Sequence, residues 1–152
     1  MGTVHPDILP CGFRHEAHKT VTASDIRLWA GLTGRRLPSR GGQAFAQQTA
    51  VARDVAPDAF LTGLVMDTAA MVAARIPPPG ALLTLLAVQF TAPVFVGTTV
   101  AVVVTVAEWD AAARLYWLDI CLTRADGTLA VIGKAGLRPH TTLLPAACTL
   151  RE

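Results

Sequence analysis

The second half of the chain contains four consecutive segments with the composition of β-strands, and this feature constrains the fold most. The segments are rich in Val, Leu and Thr, which favour strands. They are ALLTLLAVQF (81–90), TTVAVVVTVAEW (98–109), ARLYWLDICLTR (113–124) and TLAVIGKAGLRP (128–139). The connections WDAA (109–112) and ADG (125–127) are short enough for tight hairpins. Strands joined in this way predict an antiparallel sheet.

A single apolar helical segment precedes these strands. The segment AFLTGLVMDTAAMVAARI (59–76) is apolar nearly all round, and three prolines and Gly80 follow it. A helix that is apolar on every side is expected to be buried. The sequence therefore predicts an α+β domain in which an antiparallel sheet wraps around one long buried helix.

Length and composition agree with one domain over residues 1–152, with its core at about 19–138 and loose termini. A chain of this length buries roughly 70% of its unfolded surface. Of its residues 52% are hydrophobic and only 16% are charged, which indicates that another subunit covers part of the surface. The net charge of +2 and the absence of a basic stripe argue against binding to nucleic acid.

Other common classes of protein are also disfavoured. The three cysteines are too widely spaced for a disulfide framework or a zinc site, and HEAH (15–18) lacks the histidine spacing of a helical metal site. The start of the chain has no charged leader followed by an apolar stretch. The apolar tract 81–107 is interrupted by Gln89, Pro93 and Gly97, so it is not a membrane span. We predict a cytoplasmic protein without metal or cofactor.

The first half of the chain contains shorter elements around an arginine-rich segment. HKTVT (18–22) predicts a strand, and SDIRLWAGLTG (24–34) predicts a helix capped by Ser24 and ended by Gly34. QAFAQQTAVARD (43–54) predicts a second helix. Between the two helices, LTGRRLPSRGG (32–42) contains three arginines. These arginines fit a solvated loop, an anion-binding cradle, or an active site whose acid and base have been replaced.

Three motifs of this chain follow one another in an order known from one family. They are LTGRRLPSRGGQAFA (32–46), TG (62–63) and PPPGALLTLLAVQFTAPVFVGTT (77–99). They resemble LTGDxNPxHxDxxxA, the HG pair that opens a long helix, and PG…F..PV..GD in MaoC-like single-hotdog proteins of the (R)-specific enoyl-CoA hydratase group. QFTAPVFVG (89–97) is the most specific part of the resemblance. The resemblance implies a hotdog fold and a pocket built between two subunits.

The chain departs from this family at the residues that carry the chemistry. The catalytic Asp of the family falls on Arg35 and the catalytic His on Arg40. In the family, these two groups activate water and exchange protons as water adds across a 2-enoyl thioester. Arginine cannot exchange protons near neutral pH, because its pKa lies above about 12. Fixed cations there suit a carboxylate, a phosphate or a pyrophosphate, so we predict that Arg35, Arg40, Arg36 and the nearby Gln43 bind substrate.

Three residues of the long helical segment are further candidates. The resemblance places Gly63 at the start of the helix, where its backbone N–H polarises the thioester carbonyl. Thr62 either caps this helix or contacts substrate. Asp67 lies one turn beyond Gly63 among apolar residues, where a carboxylate has either a partner or a function. Gly63 and Asp67 are therefore our candidate catalytic residues.

Two classes of function remain open from the sequence. One is an enzyme that acts on an acyl thioester carried on coenzyme A or a carrier protein, either a hydratase or dehydratase with a changed site or a thioesterase that uses Asp67. The other is a non-catalytic subunit that binds an acyl thioester or completes a partner's pocket. In both classes we expect a homodimer or a higher oligomer.

Overall fold

The computed structural model of the protein describes residues 9–34, 55–76 and 80–140. Within these ranges, two helices and five strands follow one another. They are β1 (Arg14–Thr20), α1 (Ala23–Thr33), α2 (Asp58–Ala73), β2 (Ala81–Phe90), β3 (Thr99–Asp110), β4 (Leu115–Arg124) and β5 (Leu129–Pro139). The helix predicted over 43–54 lies outside the described residues.

The five strands form one antiparallel sheet in the order β1-β3-β4-β5-β2. Strands β3, β4 and β5 are joined by hairpins, and β1 and β2 lie at the edges. In the second hairpin, Gly127 has φ 83° and its N–H donates to the carbonyl of Arg124 at 2.8 Å. This confirms the turn predicted at ADG (125–127).

The first hairpin turn lies two residues later than the turn predicted at 109–112. Trp109 and Asp110 still belong to β3, where they pair with Tyr116 and Leu115 of β4. The rings of Trp109 and Tyr116 lie 4.5 Å apart, and this contact extends the hairpin beyond the position that turn composition indicated.

Side chains alternate between the two faces of the sheet, as the period of a strand requires. The inner face of β3 consists of Val100, Val102, Val104 and Val106, all at most 2% exposed. Strand β4 adds Leu118, Ile120 and Leu122 to the same layer. Helix α2 packs on this layer through Leu61, Val65 and Val72 among others, so the core lies between α2 and the inner face.

The buried helix predicted from the sequence is α2, and in the single chain only one side of it is buried. One face of α2 is buried, but Met66 is 46% exposed, Met71 is 48% exposed and Asp67 is exposed as well. The sheet covers a helix from one side only, and in the described part of the chain α1 covers just the beginning of α2. An apolar strip of α2 therefore faces solvent.

Helix α1 begins two residues before the position that the sequence indicated. The N-cap is Thr22 and not Ser24, because Thr22 and Asp25 form a capping box. The Thr22 hydroxyl accepts from the N–H of Asp25 at 3.1 Å, and the Asp25 carboxylate accepts from the N–H of Thr22 at 2.8 Å. Gly34, with φ 64°, ends the helix as predicted.

No helix in the described ranges has both the length and the hydropathy that crossing a bilayer requires.

Candidate active site

The exposed face of α2 brings together the two predicted catalytic residues. Gly63 and Asp67 lie four residues apart and hence on the same side of the helix. The Asp67 carboxylate makes no hydrogen bond or ion pair within the described part of the chain. The exposed side chains of Met66 and Met71 flank it. In the single chain, Asp67 is a solvated carboxylate on an otherwise apolar strip.

Gly63 does not lie at the start of the helix, which differs from the prediction. Helix α2 begins at Asp58, so Gly63 is its sixth residue. At that depth a backbone N–H bonds to the carbonyl four residues back, whereas free N–H groups occur only in the first turn. The Gly63 N–H is therefore not one of the free N–H groups at the helix start. A contact between Gly63 and a bound carbonyl remains a prediction.

The ring of Trp29 adjoins Gly63 and packs against the ring of Phe60. Trp29 of α1 and Phe60 of α2 meet edge to face, with ring centroids 5.9 Å apart at 77°. A Cβ placed on Gly63 would lie 3.8 Å from the Trp29 ring, which is ordinary van der Waals distance. Glycine is thus not required here by the packing of the described residues.

Phe60 was not among the predicted site residues. Local sequence pattern had no means to place Phe60 of α2 against Trp29 of α1. The position of Phe60 two residues before Thr62 was the available signal.

Thr62 does not cap α2. Its hydroxyl donates to the carbonyl of Asp58 at 2.9 Å, one turn back within the helix, and the N-cap position is occupied by Pro57. Thr residues in helices commonly satisfy their hydroxyl in this way. A contact between Thr62 and substrate remains a prediction.

The predicted substrate-binding residues Arg35, Arg36, Arg40 and Gln43 lie outside the described residues. Helix α1 ends at its C-cap Gly34, one residue before Arg35.

The histidines of HEAH (15–18) are directed to opposite faces of β1. His15 pairs with Val104 of the inner layer, whereas His18 lies on the outer side and its Nε2 is 3.1 Å from the Glu16 carboxylate. In the part of the chain that the structure describes, no three His, Cys, Asp or Glu side chains meet as metal ligands would.

Comparison with known proteins identifies similar sequences and a similar structure. The chain is 35% identical to an (R)-specific enoyl-CoA hydratase of Rhodospirillum rubrum over 88 residues, which are 58% of this chain and 59% of that protein. It is 33% identical to a 3-hydroxybutyryl-CoA dehydratase of Methylorubrum extorquens over 100 residues, which are 66% of this chain and 62% of that protein. The match thus spans about three fifths of each curated relative. No protein-family model matches the sequence.

Comparison with solved structures identifies the fold. The (R)-hydratase from A. caviae involved in PHA biosynthesis superposes with a TM-score of 0.76 at 25% identity, over 86% of this chain and 96% of that one. The chain has a hotdog fold. In this hotdog domain, α2 is the long central helix, and the candidate residues lie on the side of the helix that the sheet leaves uncovered.

Proposed function

We propose that this chain belongs to the (R)-specific enoyl-CoA hydratase and dehydratase family and acts on an acyl thioester carried on coenzyme A or a carrier protein. The two curated relatives carry the proposal. Their names describe the two directions of one reaction, the addition of water to an enoyl thioester and its removal from a 3-hydroxyacyl thioester. The hotdog fold and the segment QFTAPVFVG (89–97) support the same assignment.

The active site of this chain is altered from that of the family. The positions that match the family's Asp and His hold Arg35 and Arg40, which stay protonated and do not shuttle protons. Their planar cations pair well with carboxylate and phosphate groups. We assign them to the binding of an anionic part of the substrate, such as the pyrophosphate of the carrier or an acyl-chain carboxylate.

Asp67 replaces the missing base in this proposal. Water addition needs a group that accepts a proton from water while its oxygen bonds to the β-carbon, and that then gives a proton to the α-carbon as the double bond is lost. A solvated carboxylate is a weak base, and a carboxylate from which water is excluded accepts a proton more readily. A second chain that covers Met66, Asp67 and Met71 would desolvate Asp67. The proposal therefore places the working site between two subunits.

The edge strands indicate where the second subunit pairs. Strand β1 has the sequence RHEAHKT, in which charged side chains protect the edge. Strand β2 has the sequence ALLTLLAVQF, without a charge, and its Leu82, Leu85 and Phe90 are more than 40% exposed. An uncharged edge with exposed apolar side chains is suited to strand pairing. We propose a homodimer that pairs through β2.

Gly63 retains a role in this arrangement. Because it has no side chain, it leaves the backbone of α2 open beside Trp29. We place the thioester of the acyl group against this part of the helix.

The decisive experiment follows the enoyl absorbance of crotonyl-CoA and of longer 2-enoyl-CoAs with purified protein. We expect the absorbance to fall as water adds, and heat-denatured protein serves as the control. An absorbance that falls no faster than in the control would refute the hydratase proposal.

The arginines at 35 and 40 favour one alternative, a subunit that binds acyl thioesters without turnover. Such a protein would gain thermal stability with acyl-CoA but leave crotonyl-CoA unchanged. The same samples also test a thioesterase, which would release a free thiol from acyl-CoA.

A further inference from the structure

We propose that the outer face of the sheet, turned away from α2, pairs with the same face of a second copy of this chain. We define this outer face by Val103 of β3, Asp119 and Cys121 of β4, and Ile132 and Lys134 of β5. The contact is separate from pairing through β2 and does not rest on the proposed enzymatic function.

The outer face has an apolar centre. A sheet that packs on a core with one side usually exposes polar side chains on the other. Here Val103, Cys121 and Ile132 are aligned across the three central strands, and Ile132 is 43% exposed. The charged side chains of Arg14, Glu16 and His18 lie beside them on β1. An apolar centre with a polar rim is the usual composition of a protein interface.

Two charges on this face have no partner in the described part of the chain. Asp119 and Lys134 are exposed and directly opposite each other on β4 and β5. Neither forms an ion pair or a side-chain hydrogen bond with another described residue. On β1, by contrast, Glu16 is bonded to both Arg14 and His18. Asp119 and Lys134 are therefore available to another molecule.

The register of β4 and β5 indicates that a second copy of this chain complements the outer face. Consider a twofold axis that is parallel to the strands, lies between the two facing sheets, and passes above the line midway between β4 and β5. This axis places β4 of one copy over β5 of the other. Asp119 then faces the partner subunit's Lys134, and Cys121 faces the partner subunit's Ile132. In the first pair an acidic side chain faces a basic one, and in the second a small side chain faces a large one. Facing sheets lie about 10 Å apart, which leaves room for one interdigitated layer of such side chains.

A second copy satisfies both charges at once. The twofold axis generates each of these contacts twice, because an isologous interface uses the same patch on both subunits. A partner that is only acidic or only basic would match one charge and oppose the other.

The test uses two charge-reversed variants and their mixture. In Asp119→Lys alone, the introduced lysine faces the partner subunit's Lys134. In Lys134→Asp alone, two acids face each other. In an equimolar mixture of the two variants, every facing pair is again one acid and one base. The mass in solution is measured by analytical ultracentrifugation over a wide range of concentration, with circular dichroism to verify the fold.

We expect each variant alone to have half the mass of the wild-type protein, and the mixture to regain the wild-type mass. A wild-type mass that neither variant changes, or a mixture that stays at the mass of its components, would overturn the proposal. Ile132→Ser provides a further variant without a charge change, and we expect it to weaken the same assembly. Crotonyl-CoA turnover, followed in parallel, tests the proposed enzymatic function and does not enter this result.

Discussion

Asp67 stands on the exposed side of α2, one turn beyond Gly63, with exposed methionines on either side. If this carboxylate is the base, Asp67→Asn removes the proton acceptor and leaves a side chain of nearly the same shape. We expect the rate of crotonyl-CoA hydration to fall by about tenfold or more, which corresponds to about 1.4 kcal/mol of activation free energy.

The matched control is Glu108→Gln, which neutralises an exposed acid on β3 and should leave the rate unchanged. Equal rates for Asp67→Asn and the wild-type protein would remove Asp67 from the mechanism.

A substitution at Gly63 should change stability and function in opposite directions. The Trp29 ring lies far enough away to accept a methyl group, and alanine favours a helix over glycine by roughly 0.8–1 kcal/mol. We therefore expect Gly63→Ala to unfold at a higher denaturant concentration. The same methyl group would obstruct the acyl thioester, so we expect turnover or acyl-CoA binding to fall.

Gly31→Ala in α1 is the control, because no described atom lies within 4 Å of the added Cβ. It should raise stability and leave binding unchanged. A Gly63→Ala protein that binds acyl-CoA as the wild-type protein does would exclude a close approach at this residue.

At the scale of the element, the stability of the start of α1 depends on whether Asp25 is ionised. Hydrogen bonds from Lys19 and Thr22 lower the pKa of Asp25 from 3.8 to about 2. A carboxyl group whose pKa is lower in the folded state stabilises the fold above its unfolded pKa, and this contribution disappears as pH falls towards the folded value. We expect the free energy of unfolding to decrease between about pH 4 and pH 2.

Asp25→Asn should reduce this decrease, and Thr22→Ala should cost about 1 kcal/mol at neutral pH by removing the cap. Denaturant titrations at several pH values provide the measurement. An unchanged acid dependence in Asp25→Asn would show that other carboxyl groups dominate in this range.

Strands β5 and β2 approach each other closely at Gly133. A Cβ at this residue would lie 2.3 Å from the Ala87 carbonyl oxygen and 2.9 Å from the Val88 Cα, both of them backbone atoms that cannot move aside alone. We expect Gly133→Ala to destabilise the protein by about 2 kcal/mol or more.

Gly136→Ala tests the same change on the same strand. There the three atoms nearest to the added Cβ all belong to the Leu115 side chain, at 3.1 Å or more, so we expect a smaller loss because a side chain can adjust. Thermal unfolding of both variants compares them directly. Equal losses would mean that the β5–β2 pair opens more easily than this register suggests.

At the scale of the whole molecule, the two sheet edges differ in charge, and assembly should depend on only one of them. Phe90→Lys places a cation on the uncharged edge of β2, where Phe90 is 41% exposed. We expect the mass in solution to halve and hydration to slow, because Asp67 would lose the subunit that desolvates it.

His18→Lys places a cation on β1, the edge that already carries charges, and should leave the mass unchanged. Sedimentation equilibrium distinguishes the two results. Equal masses for Phe90→Lys and wild-type protein would place the subunit contact elsewhere.

Much of the fold could be predicted from local pattern. All four strand segments of the second half were located to within about two residues, because strand-favouring composition and short connections are features of neighbouring residues. The end of α1 at Gly34 has the same local origin. The resemblance to the hydratase family also indicated the hotdog fold, which the structural comparison confirms.

The features that could not be predicted from the sequence depend on contacts between residues that are distant in the chain. The sequence of α2 showed that it is apolar and buried, but not which side the sheet covers and which side stays open in the single chain. The choice of Thr22 over Ser24 as cap depends on where Asp25 points, and the need for glycine at 133 depends on a strand more than forty residues away. Composition and period describe one segment at a time, whereas exposure, register and close approach exist only once two segments have met.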